Sequence, residues 1–340
     1  MTGKRVRRLL SAVALAMMAS AAAAAAPGLA GAGGTAIYPV LANWAAQYHA
    51  LTGVAVNYQP IGSGGGIQQI ETGTVAFANS DMPLPSAELR THRLIQFPAL
   101  IIGITPVVNI PGIRAGDLTL NGPLLADIYL GAVRYWDDPR IVALNPGLRL
   151  PHMAIITVHR SDGSGTTFNF TNYLSKVSSA WRARVGADTA VAWPNGVGGK
   201  GNAGVASFVQ QIRGSLGYVE YAFAQDTHLS WTRMLNRDGK TVSPSLAAFA
   251  AAAANADFAA APDFNLTLTD EPGAGAWPIT ATTYMLMRRD YARADNRAVL
   301  EFCRWFLNYG QERARQLNYV PMPAATVKLI EKYWQRELGL

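Results

Sequence analysis

The chain has 340 residues, half of them hydrophobic and 15% charged, which is long enough for two domains and excludes disorder as the main state. A formal net charge of +7 hints at a polyanionic partner, but Lys4, Arg5, Arg7 and Arg8 supply most of it from one short N-terminal stretch. Without them too little positive charge remains to imply nucleic acid. The single cysteine, Cys303, cannot close an internal disulfide, and the five histidines show no i, i+4 pairing, so neither a metal site nor a cofactor is expected.

Lys4 to Arg8, an apolar run from Leu9 and the alanines Ala21 to Ala26 form the basic, apolar and small-residue tripartite layout of a cleaved secretory signal peptide, with the cut expected after Ala25, or later after Ala30. The apolar run is too short to be a persuasive membrane span. Gly31-Ala32-Gly33-Gly34-Thr35 then reads as a flexible turn before a helix from Pro39 to Ala50, whose Val40, Leu41, Trp44 and Tyr48 share one face. Val54 to Gln59 alternates like a strand, and Ile61-Gly62-Ser63-Gly64-Gly65-Gly66 leads into a second helix carrying Ile67 and Ile70. Val75 to Asp81 reads as a third short strand with a carboxylate at its end.

Leu100 to Ile104 and Val107-Val108 are continuously apolar and predict central strands. Met153 to Val158 predicts a buried strand, followed by the hydroxyl- and glycine-rich turn His159-Arg160-Ser161-Asp162-Gly163-Ser164-Gly165-Thr166-Thr167. Phe168, Phe170, Tyr173 and Leu174 then place one face of a helix. A strand feeding a helix through such a turn points unpaired helix N–H donors outward, and Arg160 adds a planar cation. The chemistry this predicts is capture of a small oxyanion. Gly196 to Asn202 is another glycine loop. It lacks the glycine at position 194 and the Ser/Thr after Lys200 that a nucleotide phosphate loop requires, and reads as a packing loop. Residues 245–261 are alanine-rich and predict a surface helix, Pro278 to Leu286 a strand, and the region from Asn296 onward two or three helices. Strands alternating with helices argue for an α/β fold with mostly parallel sheets, whose ligands sit at the carboxyl ends of strands.

Ser164 does not fit a nucleophile elbow, because Asp162 and Thr166 stand where that pattern has glycines. Asp81, followed by Met82-Pro83, has two readings: a turn or cap residue, or an acceptor for the proton of a protonated oxyanion.

At this point the residues resemble a known family, the periplasmic phosphate-binding proteins of the high-affinity phosphate ABC transporter (PstS). The resemblance spans essentially the whole mature chain. It rests on Gly31 to Thr35, Ile61 to Gly66, Ser80-Asp81, Asp127 to Gly131, Trp136-Asp137-Asp138, Asp162 to Thr166, Gly198 to Asn202, Gly217 to Tyr221 and Trp277 to Thr280. It implies a periplasmic binding protein of type II: two α/β lobes joined by a two-crossing hinge, with the ligand in the cleft. The implied division is a signal peptide over 1–25, lobe I over 26–101 plus 279–340, and lobe II over 102–278. Hinge crossings are expected near Leu100 to Gly103 and Trp277 to Thr280. Carried over, the phosphate ligands are Thr35, the Ala36 N–H, Ser63 and Asp81 from one lobe, and Arg160, Ser164, Gly165 and Thr166 from the other. Asp162 orients the arginine. The implied partners are inorganic phosphate, as hydrogen phosphate, and an inner-membrane ABC phosphate permease; the chain is expected to be a periplasmic monomer, not an enzyme, without nucleic acid. A secreted phosphatase and an adhesin on the same fold are the rival readings. Ala36 departs from the family's usual phenylalanine, which implies a thinner apolar cover over the ligand. Ala76, Gly64 and Asn79 stand where aspartate, serine and alanine are common.

Overall fold

Residues 28–339 are described by a computed structural model, so the leader expected over 1–25 lies outside the described residues. The first element corrects an expectation. Leu29–Gly33 is a strand (β1), not a flexible turn, and it pairs in parallel with Val56–Gln59 (β2) on one side and Phe77–Ser80 (β3) on the other. Its small residues are the reason it can lie there: a Cβ on Gly31 would sit 2.2 Å from the Phe77 ring. Helix α1 (Tyr38–Thr52) follows β1 and buries Val40, Leu41, Trp44 and Tyr48, the face expected from the spacing. Trp44 stacks on Phe306 with centroids 4.4 Å apart. Helix α2 (Ser63–Glu71) follows β2.

Strand β4 (Leu94–Val108) is fifteen residues long and buried throughout. It absorbs both apolar runs and the prolines Pro98 and Pro106 into one element. Its partner changes partway. Leu94 to Gly103 pairs antiparallel with a later strand, Thr280–Arg288, whereas Ile104 to Val108 pairs antiparallel with Ser215–Glu220. The change falls in the segments nominated as hinge crossings, where the Ile104 N–H donates to the Ile279 carbonyl at 2.8 Å.

In the second lobe Ile156–Arg160 (β5) precedes helix α3 (Gly165–Val177), Val197–Gly199 (β6) precedes helix α4 (Gly201–Gln211), and Ser215–Glu220 (β7) lies parallel to β5. With Thr280–Arg288 as β8, the principal sheet runs β2-β1-β3-β8-β4-β7-β5-β6. It is parallel across β2-β1-β3 and across β7-β5-β6, and antiparallel at β3–β8, β8–β4 and β4–β7. The expectation of mostly parallel sheets therefore holds for the outer strands only.

The alanine-rich stretch is helical over Leu246–Ala253, and it is not mere surface. Its Phe249 is fully buried, and a Cβ on Gly103 would lie 2.1 Å from that ring. Phe249 packs edge-on to Trp277, whose indole N–H donates to the Ile104 carbonyl at 2.9 Å. The point where β4 changes partner is thus wedged by an aromatic pair. Residues 262–266 cross back to the first lobe: the Gln96 amide donates to the Asp263 carbonyl at 3.0 Å, and the Tyr284 hydroxyl donates to the Leu266 carbonyl at 2.8 Å.

Candidate functional site

Four of the parallel strands end at, or a few residues before, a nominated site residue. β1 leads to Thr35 and Ala36, β2 to Ser63, β3 to Asp81, and β5 to Asp162, Ser164, Gly165 and Thr166, while Arg160 is its last residue. Helices α1, α2 and α3 begin directly after these turns. Their first-turn N–H groups have no intrahelical partners and carry the positive end of the helix dipole. The sheet order brings the three helix starts to one place.

Across the cleft the two lobes touch through the nominated residues. The Thr166 hydroxyl donates to Asp81 Oδ2 at 3.4 Å, and the Asn169 amide donates to the Asp81 carbonyl at 2.7 Å. The Gly64 N–H donates to the Gly163 carbonyl at 3.0 Å. Two glycines permit this approach. A Cβ on Gly165 would lie 2.6 Å from Ser63 Oγ and 2.7 Å from Asp81 N, and one on Gly62, at φ +93°, would lie 2.4 Å from Asp162 Oδ2. A side chain at either position would hold the lobes apart.

Asp81 is 1% exposed. Its N–H donates to Ser63 Oγ at 3.3 Å. Burial pushes its carboxyl from 3.8 up to about 6, against the pull of the Thr283 hydroxyl, the Arg160 charge and the Thr166 hydroxyl. Among the described residues its Oδ1 is buried with no hydrogen-bond partner. Facing it from the other lobe, Arg160 is held by Asp162 through Nε–Oδ1 at 2.8 Å and Nη2–Oδ2 at 2.5 Å. That bidentate pair occupies two guanidinium corners and leaves Nη1, also buried and without a partner among the described residues. Burial alone would raise the Asp162 carboxyl; Arg160 and the Gly201 N–H, 2.9 Å away, hold it below the usual carboxylate range.

Ser164 caps α3, its hydroxyl accepting the Thr167 N–H at 3.1 Å. The helix is fixed from below: Phe170 stacks on Tyr218 with centroids 4.1 Å apart, and the Tyr218 hydroxyl lies 2.7 Å from Thr167 Oγ1 and accepts the Arg160 N–H at 3.2 Å. Burying an aromatic pair of this kind contributes a few kcal/mol; here it also sets the register of the turn. Ala36 is fully buried and its carbonyl accepts from the Tyr319 hydroxyl at 2.7 Å, so the backbone at this position is fixed although the side chain is small. Asn79 supports β3 from beneath: its amide donates to Thr283 Oγ1 at 2.8 Å and to the Tyr284 carbonyl at 2.9 Å.

The structure thus brings together all eight nominated residues and Asp162. It adds two. Asn202, in the loop read as packing only, donates to Thr35 Oγ1 from its backbone N–H at 3.2 Å and its side-chain amide at 2.9 Å. Glu220, at the end of β7, is fully buried; its N–H donates to Asn202 Oδ1 at 2.9 Å, and burial holds its carboxyl well above the usual carboxylate range. No spacing rule links positions 35, 202 and 220, so only the tertiary fold joins them. Among the described residues no group of three His, Cys, Asp or Glu side chains could hold a metal ion. The arrangement suits one small tetrahedral oxyanion: hydroxyl and helix N–H donors, one free guanidinium corner, and one carboxylate oxygen able to accept a proton-bearing ligand atom.

The comparisons agree in kind. A family model described as a PBP superfamily domain matches residues 19–308. A protein of Xylella fastidiosa named phosphate-binding protein PstS is 54% identical over 310 residues, covering 91% of this chain and 85% of the relative. At the level of fold, the chain superposes on a phosphate-binding protein from Stenotrophomonas maltophilia with a TM-score of 0.65 at 19% identity, covering 89% and 92% of the two chains. It superposes on an ABC-type phosphate transport receptor from Vibrio cholerae with a TM-score of 0.56 at 16% identity, covering 87% and 100%.

Proposed function

We propose that this chain, which belongs to the PstS family of phosphate-binding proteins, captures inorganic phosphate as an exported solute-binding protein and delivers it to an ABC-type phosphate permease. One observation carries the choice of ligand: two buried polar atoms without partners among the described residues, Arg160 Nη1 and Asp81 Oδ1, belong to opposite jaws of one site. A buried donor or acceptor left unsatisfied costs about 1–3 kcal/mol. A hydrogen phosphate satisfies both, offering an unprotonated oxygen to Arg160 and its own P–O–H to Asp81. Sulfate at neutral pH has no proton, so it would set oxygen lone pairs against a buried carboxylate.

The remaining donors follow from the strand ends. Thr35, the Ala36 N–H and Ser63 serve from lobe I; Ser164 and the Gly165 and Thr166 N–H groups serve from lobe II, the Thr166 hydroxyl proton being directed to Asp81 Oδ2. Asp162 does not touch ligand in this scheme but holds the guanidinium plane. Only one cation is used. Fixed dipoles do the rest, which leaves release possible once the lobes separate at the Gly103–Ile104 and Ile279–Thr280 crossings. We assign lobe I to residues 26–101 plus 279–340 and lobe II to 102–278, with segment 262–266 leaning back on lobe I. The protein acts in the periplasm, reached through the leader of residues 1–25, as a monomer without a nucleic-acid partner. It is a carrier, not an enzyme: Ser164 Oγ is engaged as a helix cap, while His152 and His159 are engaged by Asp137 and the Arg160 carbonyl.

Titration calorimetry of the mature protein with phosphate, sulfate and arsenate, alongside tryptophan fluorescence, tests this. Tight phosphate binding with sulfate rejected is expected; comparable binding of sulfate would refute the role of Asp81. Restoration of phosphate uptake to a cell lacking its own receptor tests delivery.

A further inference from the structure

We propose that Asn202 is a positioning residue that, on lobe closure, makes the Thr35 hydroxyl an obligate donor to the ligand. The inference rests on the phosphate reading above. A threonine hydroxyl has one proton and two lone pairs. In the closed arrangement Thr35 Oγ1 accepts from the Asn202 backbone N–H at 3.2 Å and from the Asn202 side-chain amide at 2.9 Å. Both acceptor directions are taken, so the proton has one direction left.

The amide cannot turn to reverse this. Asn202 is fully buried, and its Oδ1 accepts the Glu220 N–H at 2.9 Å. That contact requires an oxygen on the Glu220 side and so places the NH₂ group toward Thr35. The loop geometry puts Asn202 there. Gly201 takes φ +68° with its Cα face against Thr35 Cγ2, and its N–H donates to Asp162 Oδ1 at 2.9 Å. One loop therefore orients Arg160 through Asp162 and Thr35 through Asn202.

Thr35 belongs to lobe I and Asn202 to lobe II, so the hydroxyl is committed only when the lobes meet. With the lobes apart it rotates freely and accepts from water as readily as it donates. Closure thus removes the acceptor character of Thr35 at the moment the ligand loses its water. Ligand oxygens that can accept are retained, and the hydroxyl contributes to retention and not to capture.

The test is a double-mutant cycle on phosphate binding by the mature protein, using Asn202→Asp and Thr35→Val. Asn202→Asp preserves volume and the oxygen facing Glu220 but removes the NH₂ donor, so the Thr35 hydroxyl turns toward residue 202. Stopped-flow tryptophan fluorescence should show phosphate dissociating about tenfold faster, the scale of one lost hydrogen bond to a charged ligand, with an unchanged association rate. In the Thr35→Val background the same substitution should change dissociation less than about twofold. Asn202→Ala is run in parallel, with the melting temperature of the phosphate-free protein as the folding control. Any charge effect of the aspartate persists in the Thr35→Val background and is absent from Asn202→Ala, which separates it from the hydroxyl effect. Equal losses in both backgrounds, or a loss confined to association, would overturn the role of Asn202. Failure of the unmodified protein to bind phosphate overturns the function and this inference together.

Discussion

Replacing Asp81 by asparagine changes one atom and reverses one hydrogen-bonding role. Asp81 Oδ2 accepts from Thr166 Oγ1 across the cleft, and Oδ1 has no partner among the described residues. In Asp81→Asn the amide oxygen takes the position facing Thr166, because a hydroxyl that donates needs an acceptor. The NH₂ group then points where Oδ1 pointed. Phosphate loses the acceptor for its proton, a charge-assisted bond of about 1.5–3 kcal/mol, or roughly tenfold to a hundredfold in affinity. Sulfate gains a donor where it met a carboxylate, so the phosphate-to-sulfate ratio falls further than phosphate affinity alone. The same change should stabilise the phosphate-free protein. Burial displaces the Asp81 carboxyl from 3.8 to about 6, a displacement worth about 3 kcal/mol. Because the folded value is the higher one, the stability associated with this group is present below 3.8 and is lost as pH rises through about 6. Asparagine has no such loss, so the variant's melting temperature should exceed that of the unmodified protein at pH 8 but not at pH 4. Competition calorimetry at pH 8 reads the ratio, and calorimetric melts read the stability. A phosphate-to-sulfate ratio unchanged within about threefold would refute the reasoning. In the unmodified protein, sulfate rejection should itself weaken as pH falls through about 6, where Asp81 gains a proton it can donate.

Arg160→Lys retains the charge but loses the planar fork that Asp162 grips at two corners; phosphate affinity measured by calorimetry should fall about a hundredfold. Gly165→Ala sets a methyl 2.6 Å from Ser63 Oγ, so the lobes should fail to close. Tryptophan fluorescence should then show no phosphate-dependent change, while the melting temperature of the phosphate-free protein stays near that of the unmodified protein. Asn79→Ala removes two buried bonds beneath β3, to Thr283 and Tyr284; it should cost about 1–3 kcal/mol in denaturant melts and leave phosphate selectivity intact.

Much of the site was legible before folding because its chemistry is local. The stretch from Arg160 to Thr167 announces a strand end, a cap and a helix start within eight consecutive positions, and each of those roles depends on neighbours in the chain. The α1 face was legible for the same reason, since helical periodicity is a local property, as were Phe170, Tyr173 and Leu174 of α3, whereas Phe168 lies off that helix's buried face. The errors are equally physical. Gly31 to Gly33 looked flexible because glycine's freedom is intrinsic, whereas its confinement comes from the Phe77 ring of a strand far along the chain. The alanine-rich helix looked like surface because nothing near it in sequence reveals that Phe249 wedges against Gly103.

The sequence by itself determined which residues could bind an oxyanion: the hydroxyls, the arginine, the glycines that admit close backbone approach, and the starts of helices. Only the tertiary structure decided which of them meet. Strand order carries Thr35, Ser63 and Asp81 to one edge and Arg160 to Thr166 to the facing edge, and closure presses them together through Gly165 and Gly62. Burial then raises the Asp81 carboxyl, and the loop at Gly201 and Asn202 reaches across to Thr35. Those effects depend on distance and on exclusion of water between segments remote in the chain, and neither quantity exists until the lobes are formed and closed.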